Sequence, residues 1–298
     1  MHETYIHPAA GKNSWKRYLS SLLLILLFVI IGGAFYGIGL LLFVAMDGNE
    51  QTYFDTGLGM AVGISPFIDF VLLHVMYLFW LLGIFIAIKY IQKRTLRSLI
   101  TARERVDWRR IWWAFGMFFG IYAILNLADW LIFREGLTLN EETSVPQFLI
   151  LLVLVLFFTP IQTTVEELFF RGFLVQWLGK GIKSPIIIAI IIALIFGSLH
   201  FSNPEMGRSA LLVGLEYITA GFMLTFIALK TGSAELSIGA HAANNIFLFL
   251  LISDEQSVGG KMPAIFTIGE VQPGISLLWS VILFGVFYWL SVRRFRVR

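Results

Sequence analysis

The chain has 298 residues, 58% hydrophobic and only 14% charged, with a mean hydropathy of +0.81 and a net charge of +3. A soluble domain carries about 25% charged residues, so a water-soluble protein is excluded and the chain reads as polytopic in a membrane. Cysteine is absent, which removes disulfide frameworks, thiolate metal sites and cysteine nucleophiles together.

Apolar runs of about 20 residues, the length that spans a hydrocarbon core, fall at roughly 19–46, 64–88, 110–133, 146–179, 184–201, 209–229, 234–253 and 274–292. They predict an all-α transmembrane bundle of about eight helices. Lipid admits only helices and closed barrels, and these runs are too long for barrel strands. The first is uncharged from Leu19 to Met46 and lacks an A-x-A site after a short apolar core. It therefore reads as a retained helix and not as a removed signal peptide.

Alternate loops sort by charge. One set carries Lys12, Lys16 and Arg17, the basic stretch from Lys89 to Arg110, Lys180 and Lys183, Lys230, and the run Arg293, Arg294, Arg296 and Arg298. The other carries Asp47, Glu50 and Asp55; Arg134, Glu135, Glu141 and Glu142; Glu205 and Arg208; and Asp254, Glu255, Lys261 and Glu270. The positive-inside rule places the first set and both termini in the cytoplasm, and an even number of helices requires both termini on one side. A compact, cysteine-free chain of this kind suits a bacterial inner membrane. The stretch from Lys89 to Arg110 is short, interrupted by Glu104 and Asp107 and flanked by spans. Topology and anionic headgroups explain it, and no nucleic-acid partner is expected.

The loops, about twenty residues at most, leave no room for a soluble domain, and no internal repeat stands out. Polar residues nevertheless divide the chain. Residues 1–144 hold helices one to three, with few polar groups at depth, and 254–298 hold a loop and the last helix. Residues 145–253, helices four to seven, hold Glu166, Glu167, Arg171, His200, Glu216, His241, Asn244 and Asn245. Ionisable groups at membrane depth are costly and by default mark function, so chemistry belongs to this central part.

Helical spacing sorts these residues into faces. Glu167 and Arg171 are four apart and share a face, as an ion pair requires. Glu166 is rotated by about 100° from Glu167, so one carboxylate can be tied to arginine while the other looks elsewhere. His241 and Asn245 are also four apart, with Asn244 beside them, and Phe196 and His200 repeat the spacing on the fifth predicted helix. At about 1.5 Å per residue, Glu166 lies about 18 Å from the cytoplasmic end of its helix, His200 about 24 Å, His241 about 11 Å and Asn245 about 17 Å. Helix ends read from sequence shift these depths by roughly 5 Å, and within that margin all four fall in the middle of a core about 30 Å thick. A carboxylate beside a histidine can deprotonate water and later protonate a leaving amine. A second imidazole and an amide N–H can stabilise an oxyanion. These are parts for amide hydrolysis without a covalent intermediate.

The strings EELFFRG (Glu166 to Gly172), FGSLH (ending at His200) and HAANN (His241 to Asn245) together resemble the CPBP intramembrane proteases. That family joins type II CAAX prenyl endopeptidases with bacteriocin-processing and immunity proteins. Its motifs E-E-x-x-x-R, F-x-x-x-H and H-x-x-x-N/B are matched in order over about residues 145–252. The resemblance implies an endopeptidase acting on a membrane-associated protein or peptide. Glu166 and His200 would activate the water, Glu167 and Arg171 would support the geometry, and His241 and Asn245 would form the oxyanion hole. The family is often labelled metalloprotease; a zinc or other divalent ion, if used, would take Glu166, His200 and His241. Against it stand the lack of an H-E-x-x-H motif and the competition of Arg171 for Glu167, so metal-independent glutamate catalysis is favoured.

Other readings remain at this level. The glutamates and arginine can be a structural ion pair, His200 a hydrogen-bonded core histidine, and His241 with Asn245 interhelical glue. The protein would then be a non-catalytic immunity or scaffold protein, or an ion or proton transporter using Glu166, Glu216 and the histidines. Glu216 is ambiguous between lining a cavity and pairing with a neighbour; Asp69, His74, Asn126 and Asp129 match no motif and read as structural.

Overall fold

The computed structural model describes residues 3–55, 60–133, 137–258, 260 and 262–295. Arg134, Glu135, Lys261, Arg296 and Arg298, assigned above to loops and the C-terminus, lie outside the described residues. The elements run α1 (Glu3–Ile6), α2 (Trp15–Asp47), β1 (Tyr53–Asp55), β2 (Met60–Val62), α3 (Pro66–Ile86) with a π-helical extension Ala87–Ile91, α4 (Arg97–Ile100) and α5 (Trp108–Phe133). They continue with β3 (Leu137–Leu139), α6 (Val145–Glu167), a π-helical segment Leu168–Leu174, α7 (Val175–Leu178), α8 (Pro185–Ser198) and a 3-10 turn Pro204–Gly207. The chain ends with α9 (Ala210–Thr231), α10 (Glu235–Leu251), β4 (Ile252–Ser253), β5 (Phe266–Ile268) and α11 (Pro273–Phe295).

Each of the eight apolar runs is helical, but they are not equal. Among the described residues six helices are long and apolar enough to cross a membrane: α2, α3 with its extension, α5, α6 through α7, α9 and α11. Helix α8 has 14 residues and α10 has 17, about 21 and 26 Å at 1.5 Å per residue against a core of about 30 Å. The protein is an integral membrane protein of nearly all-α architecture. Its strands, which hydropathy does not reveal, form a β1–β2 hairpin and a small sheet ordered β3-β5-β4 in the loops.

Local sequence explains the helix ends. Ser144 caps α6 in a capping box with Gln147, ahead of Pro146 in the first turn. Ser184 and Ser209 cap α8 and α9 by accepting from Ile187 N and Leu212 N. Gly232, in the left-handed region at φ 70°, closes α9. Where a membrane helix has no hydrophobic driving force towards its neighbours, small residues let backbones approach. That is how α10 docks on α5. A Cβ at Gly239 would sit 2.2 Å from the carbonyl oxygen of Ile111 and 2.9 Å from Ala114 Cβ.

Helix α10 is buried along most of its length, packed by α5, α6 and α9. Its first turn is held from the end of α4 and the segment that joins α4 to α5. Ala234 N donates to Ile100 O, and the fully buried Glu235 accepts from Arg103 Nη1, Ser233 Oγ and Asp107 N at 2.8–2.9 Å, with Arg110 Nε 3.3 Å away. Arg94 is likewise buried, donating to Gln92 and Gln176. Part of the basic stretch therefore fastens the bundle from within, beyond the headgroup role expected of it.

Replacing Gly239 by Ala forces a Cβ into a backbone oxygen and is expected to destabilise by at least about 1–3 kcal/mol, the usual cost of overpacking. Gly116→Ala, where a Cβ meets nothing within 4 Å, is expected to be neutral or stabilising. Thermal unfolding of the two variants in detergent separates these outcomes.

Candidate active site

Glu166 and Glu167 are the last two residues of α6, and Arg171 lies in the π-helical segment that follows. Every residue from Leu168 to Leu174 is buried; π-turns of this kind are rare and concentrate at functional places. Arg171 Nη1 donates to Glu167 Oε1 at 2.8 Å, both side chains having 0% exposure. The guanidinium also donates through Nη2 to Gly221 O at 3.3 Å and lies 4.9 Å from the Phe196 ring centroid. The Arg171 carbonyl accepts from Tyr5 Oη at 2.6 Å, so the amino-terminal segment grips the same turn.

The second partner of Glu167 comes from α10. His241 Nδ1 lies 2.8 Å from Glu167 Oε1. A carboxylate paired to arginine only accepts, which assigns the proton to Nδ1 and directs Nε2 outward. His241 Nε2 then lies 3.9 Å from Glu166 Oε2, beyond hydrogen-bond length. Arg171, Glu167, His241 and Glu166 thus form one chain of contacts drawn from the end of α6, the π-helical segment after it and α10. Glu166 itself is 5% exposed; Gln162 Nε2 lies 3.4 Å from both Glu166 Oε1 and Tyr77 Oη, and the Tyr77 hydroxyl also meets the Glu166 carboxylate.

His200 is not on a helix. Residues up to Phe201 are apolar enough to extend α8, but Asn203-Pro204 disfavours helix at that point, and α8 ends at Ser198. His200 sits in the turn beyond, its Nδ1 2.7 Å from Phe196 O and its ring flat against Tyr217, centroids 4.2 Å apart at 22°. No hydrogen bond joins it to Glu166; Glu166, His241 and Glu205 act on it through space. Asn245 is half-buried on the His241 face of α10, its Oδ1 accepting from Asn244 Nδ2 at 3.1 Å. Four of the six sequence candidates are therefore in one contact chain, while His200 and Asn245 flank it without a direct hydrogen bond. Glu216 lies on α9, near Ser276 of α11, outside that chain. Asp69 accepts from Tyr36, His74 Nδ1 meets Phe70 O, Asn126 donates to Tyr122 O, and Asp129 accepts from Trp279 Nε1.

Sequence reasoning missed Tyr5, Gly221, Tyr217 and Glu205. None lies at helical spacing from a motif, so only the tertiary fold discloses them. As for zinc, Glu166, His200 and His241 offer suitable donor types, but their geometry does not suit it. Among the described residues no three His, Cys, Asp or Glu side chains are grouped to hold a metal ion. The arrangement does not fit a metal centre, and no step is routed through one.

A family model described as type II CAAX prenyl endopeptidase Rce1-like matches residues 145–247. The chain is also 39% identical over 270 residues to an uncharacterized protein, YyaK, of Bacillus subtilis (strain 168), covering 91% of this chain and 89% of that one. The chain belongs to the Rce1-like family. No solved structure matches it. The Rce1-like match begins at the capped start of α6 and runs into α10, and so contains Glu166, Glu167, Arg171, His200, His241 and Asn245.

Removing one member of a buried charge pair leaves the other uncompensated, at a cost of about 3–5 kcal/mol. Arg171→Met is expected to lose stability on that scale, and the double variant Arg171→Met/Glu167→Gln to recover part of it. Melting temperatures of both in nanodiscs check this.

Proposed function

We propose that the protein is an intramembrane endopeptidase that hydrolyses a peptide bond in a membrane-associated protein or peptide. The observation that carries this is the inequality of the two glutamates. Glu167 is tied to Arg171 and His241, whereas Glu166 has no arginine partner among the described residues: it meets Gln162 at 3.4 Å and the Tyr77 hydroxyl, and faces His241 Nε2 across 3.9 Å. A carboxylate not locked to a guanidinium is available as a base. Membership of the Rce1-like family supports the same class of reaction.

In this mechanism Glu166, with His200 as its partner, takes a proton from water. The hydroxide oxygen bonds to the peptide carbonyl carbon, and the carbonyl oxygen becomes an oxyanion. Asn245 Nδ2 and His241 Nε2 donate to it. With Nδ1–H committed to Glu167, donation from Nε2 requires a second ring proton, and Glu167 lies where it would be the counter-charge. The C–N bond then breaks, and Glu166 returns its proton to the leaving amine. Arg171 holds Glu167 and so the orientation of His241, much as an acid orients the histidine in a hydrolase triad.

The surrounding organisation belongs to the same proposal. All eight helices cross, α8 as a short crossing with an outward apolar face and α10 as one inside the bundle, with both termini cytoplasmic by the positive-inside rule. Residues 145–253 form the catalytic core, 1–144 and 254–298 its surround. The membrane is a bacterial cytoplasmic membrane, consistent with the Bacillus relative. The substrate approaches from the membrane phase; the family description makes a prenylated carboxy-terminal peptide the first probe to try.

Glu166→Ala and His200→Ala are each expected to insert normally and to abolish cleavage. Comparative membrane proteomics of wild type and the two variants tests this. A cleavage product present only in wild type supports the proposal; a product set unchanged by Glu166→Ala assigns the protein to a non-catalytic role.

A further inference from the structure

His200 presents a positioning problem. It stands two residues past the end of α8, where no helical backbone fixes its side chain, yet a reacting group must be held to within about 0.5 Å. Its Nδ1 is engaged by Phe196 O at 2.7 Å, which leaves rotation of the ring plane to be restrained by packing. That restraint comes from α9. The Tyr217 ring lies against the imidazole at 4.2 Å and 22°, while Phe196 touches it from another side at 4.5 Å.

Tyr217 is itself anchored. Its hydroxyl donates to Glu205 Oε1 and accepts from Asn203 Nδ2 at 3.0 Å. Glu205, only 8% exposed, also accepts from Asn203 Nδ2 at 3.1 Å and, through Oε2, from Val258 N at 3.2 Å. The loop that carries Val258 is further tied to the same region by the Arg208–Asp254 ion pair and by Arg208 Nε donating to Gln256 Oε1. Close approach of α8 and α9 makes the stack possible: a Cβ at Gly197 would meet Ile218 Cγ1 at 2.7 Å, and one at Gly221 would meet Ala193 Cα at 3.0 Å. A buried carboxylate committed to a tyrosine, an asparagine and a distant loop, with no cation in direct contact among the described residues, is costly to retain. The steric and polar investment converges on the one face of His200 that the helix does not control.

We infer that Tyr217 is a positioning residue for His200, and that Glu205 is the anchor that holds Tyr217 in place. The inference rests on the catalytic reading of His200 for its effect on rate, but the geometric part stands without it. Loss of the stack frees the imidazole, and a misplacement of about 1 Å costs up to a hundredfold in rate.

The test uses the full-length protein in nanodiscs with isotope-labelled histidine. The chain has five histidines, His2, His7, His74, His200 and His241, so the ring signals are resolvable and His200→Gln assigns the one of interest. In wild type the His200 signal is expected to show the upfield shift of a ring stacked on an aromatic and a single Nδ1–H tautomer. Tyr217→Leu should move it downfield and average the tautomers, with the His74 signal unchanged as the control for folding. Tyr217→Phe, which keeps the ring, should keep the shift, and Glu205→Ala should displace it partly. If Tyr217→Leu does not fold, Glu205→Ala decides. A His200 signal unmoved in the folded variants overturns the inference.

In parallel, cleavage of a farnesylated CAAX reporter peptide should fall about tenfold to a hundredfold in kcat for Tyr217→Leu at unchanged KM, with rescue by Tyr217→Phe. Full activity of His200→Ala on the reporter would remove the catalytic reading and leave the clamp standing. An inactive His200→Ala together with a fully active Tyr217→Leu would remove the clamp alone.

Discussion

A fully buried arginine–glutamate pair at membrane depth is the constraint on which the rest of this bundle turns. Each charge taken out of water costs several kcal/mol, and the pair is held by the 2.8 Å contact of Arg171 with Glu167 Oε1, by His241 Nδ1 on the same oxygen and by Gly221 O on the guanidinium, while Glu167 Oε2 and Arg171 Nε have no hydrogen-bond partner among the described residues. Those partners come from α9 and α10. The pair is thus a three-helix junction, and the position of α10 relative to α6 follows from it. The buried Glu235 cluster holds the start of α10, the glycine contact on α5 sets its depth, and the Glu167–His241 bond sets the direction of its polar face.

The junction also makes two neighbouring carboxylates chemically different. Consecutive residues on a helix point about 100° apart, and the π-helical turn behind them is wholly buried. One glutamate is consumed by structure and the other is left facing an imidazole nitrogen. His200, by contrast, sits outside helical control and is held by aromatic packing anchored in a polar cluster just beyond the same end of α8. The site therefore joins a rigid centre to an element assembled from loops. Catalytic residues on loops gain reach, and they depend on neighbours for precision.

Much of this was legible in the sequence, for identifiable reasons. The Glu167–Arg171 pair is local, four residues apart, and helical periodicity alone predicts it; the separation of Glu166 from Glu167 follows from the same period. The motif order from Glu166 to Asn245 pointed to the family that the comparisons show. The bond from His241 to Glu167 spans 74 residues, so spacing indicated compatible depth and not which glutamate is met. The end of α8 before His200 was obscured because Leu199 and Phe201 continue the apolar run. Helices α8 and α10 read as ordinary spans because hydropathy windows smooth over length; at 14 and 17 residues they are shorter than the six long ones. Glu205 looked like loop charge, and its burial arises from contacts to Tyr217, Asn203 and Val258 that only the folded chain brings together.

The central claim is that Glu166 and Glu167 are not equivalent, one serving chemistry and the other the junction. The most direct measurement compares Glu166→Gln with Glu167→Gln in the same nanodiscs, reading melting temperature and reporter-peptide cleavage on each sample. The account predicts a wild-type melting temperature with no cleavage for Glu166→Gln, and a lowered melting temperature for Glu167→Gln. A Glu167→Gln variant that melts like wild type, or a Glu166→Gln variant that cleaves at the wild-type rate, would contradict it.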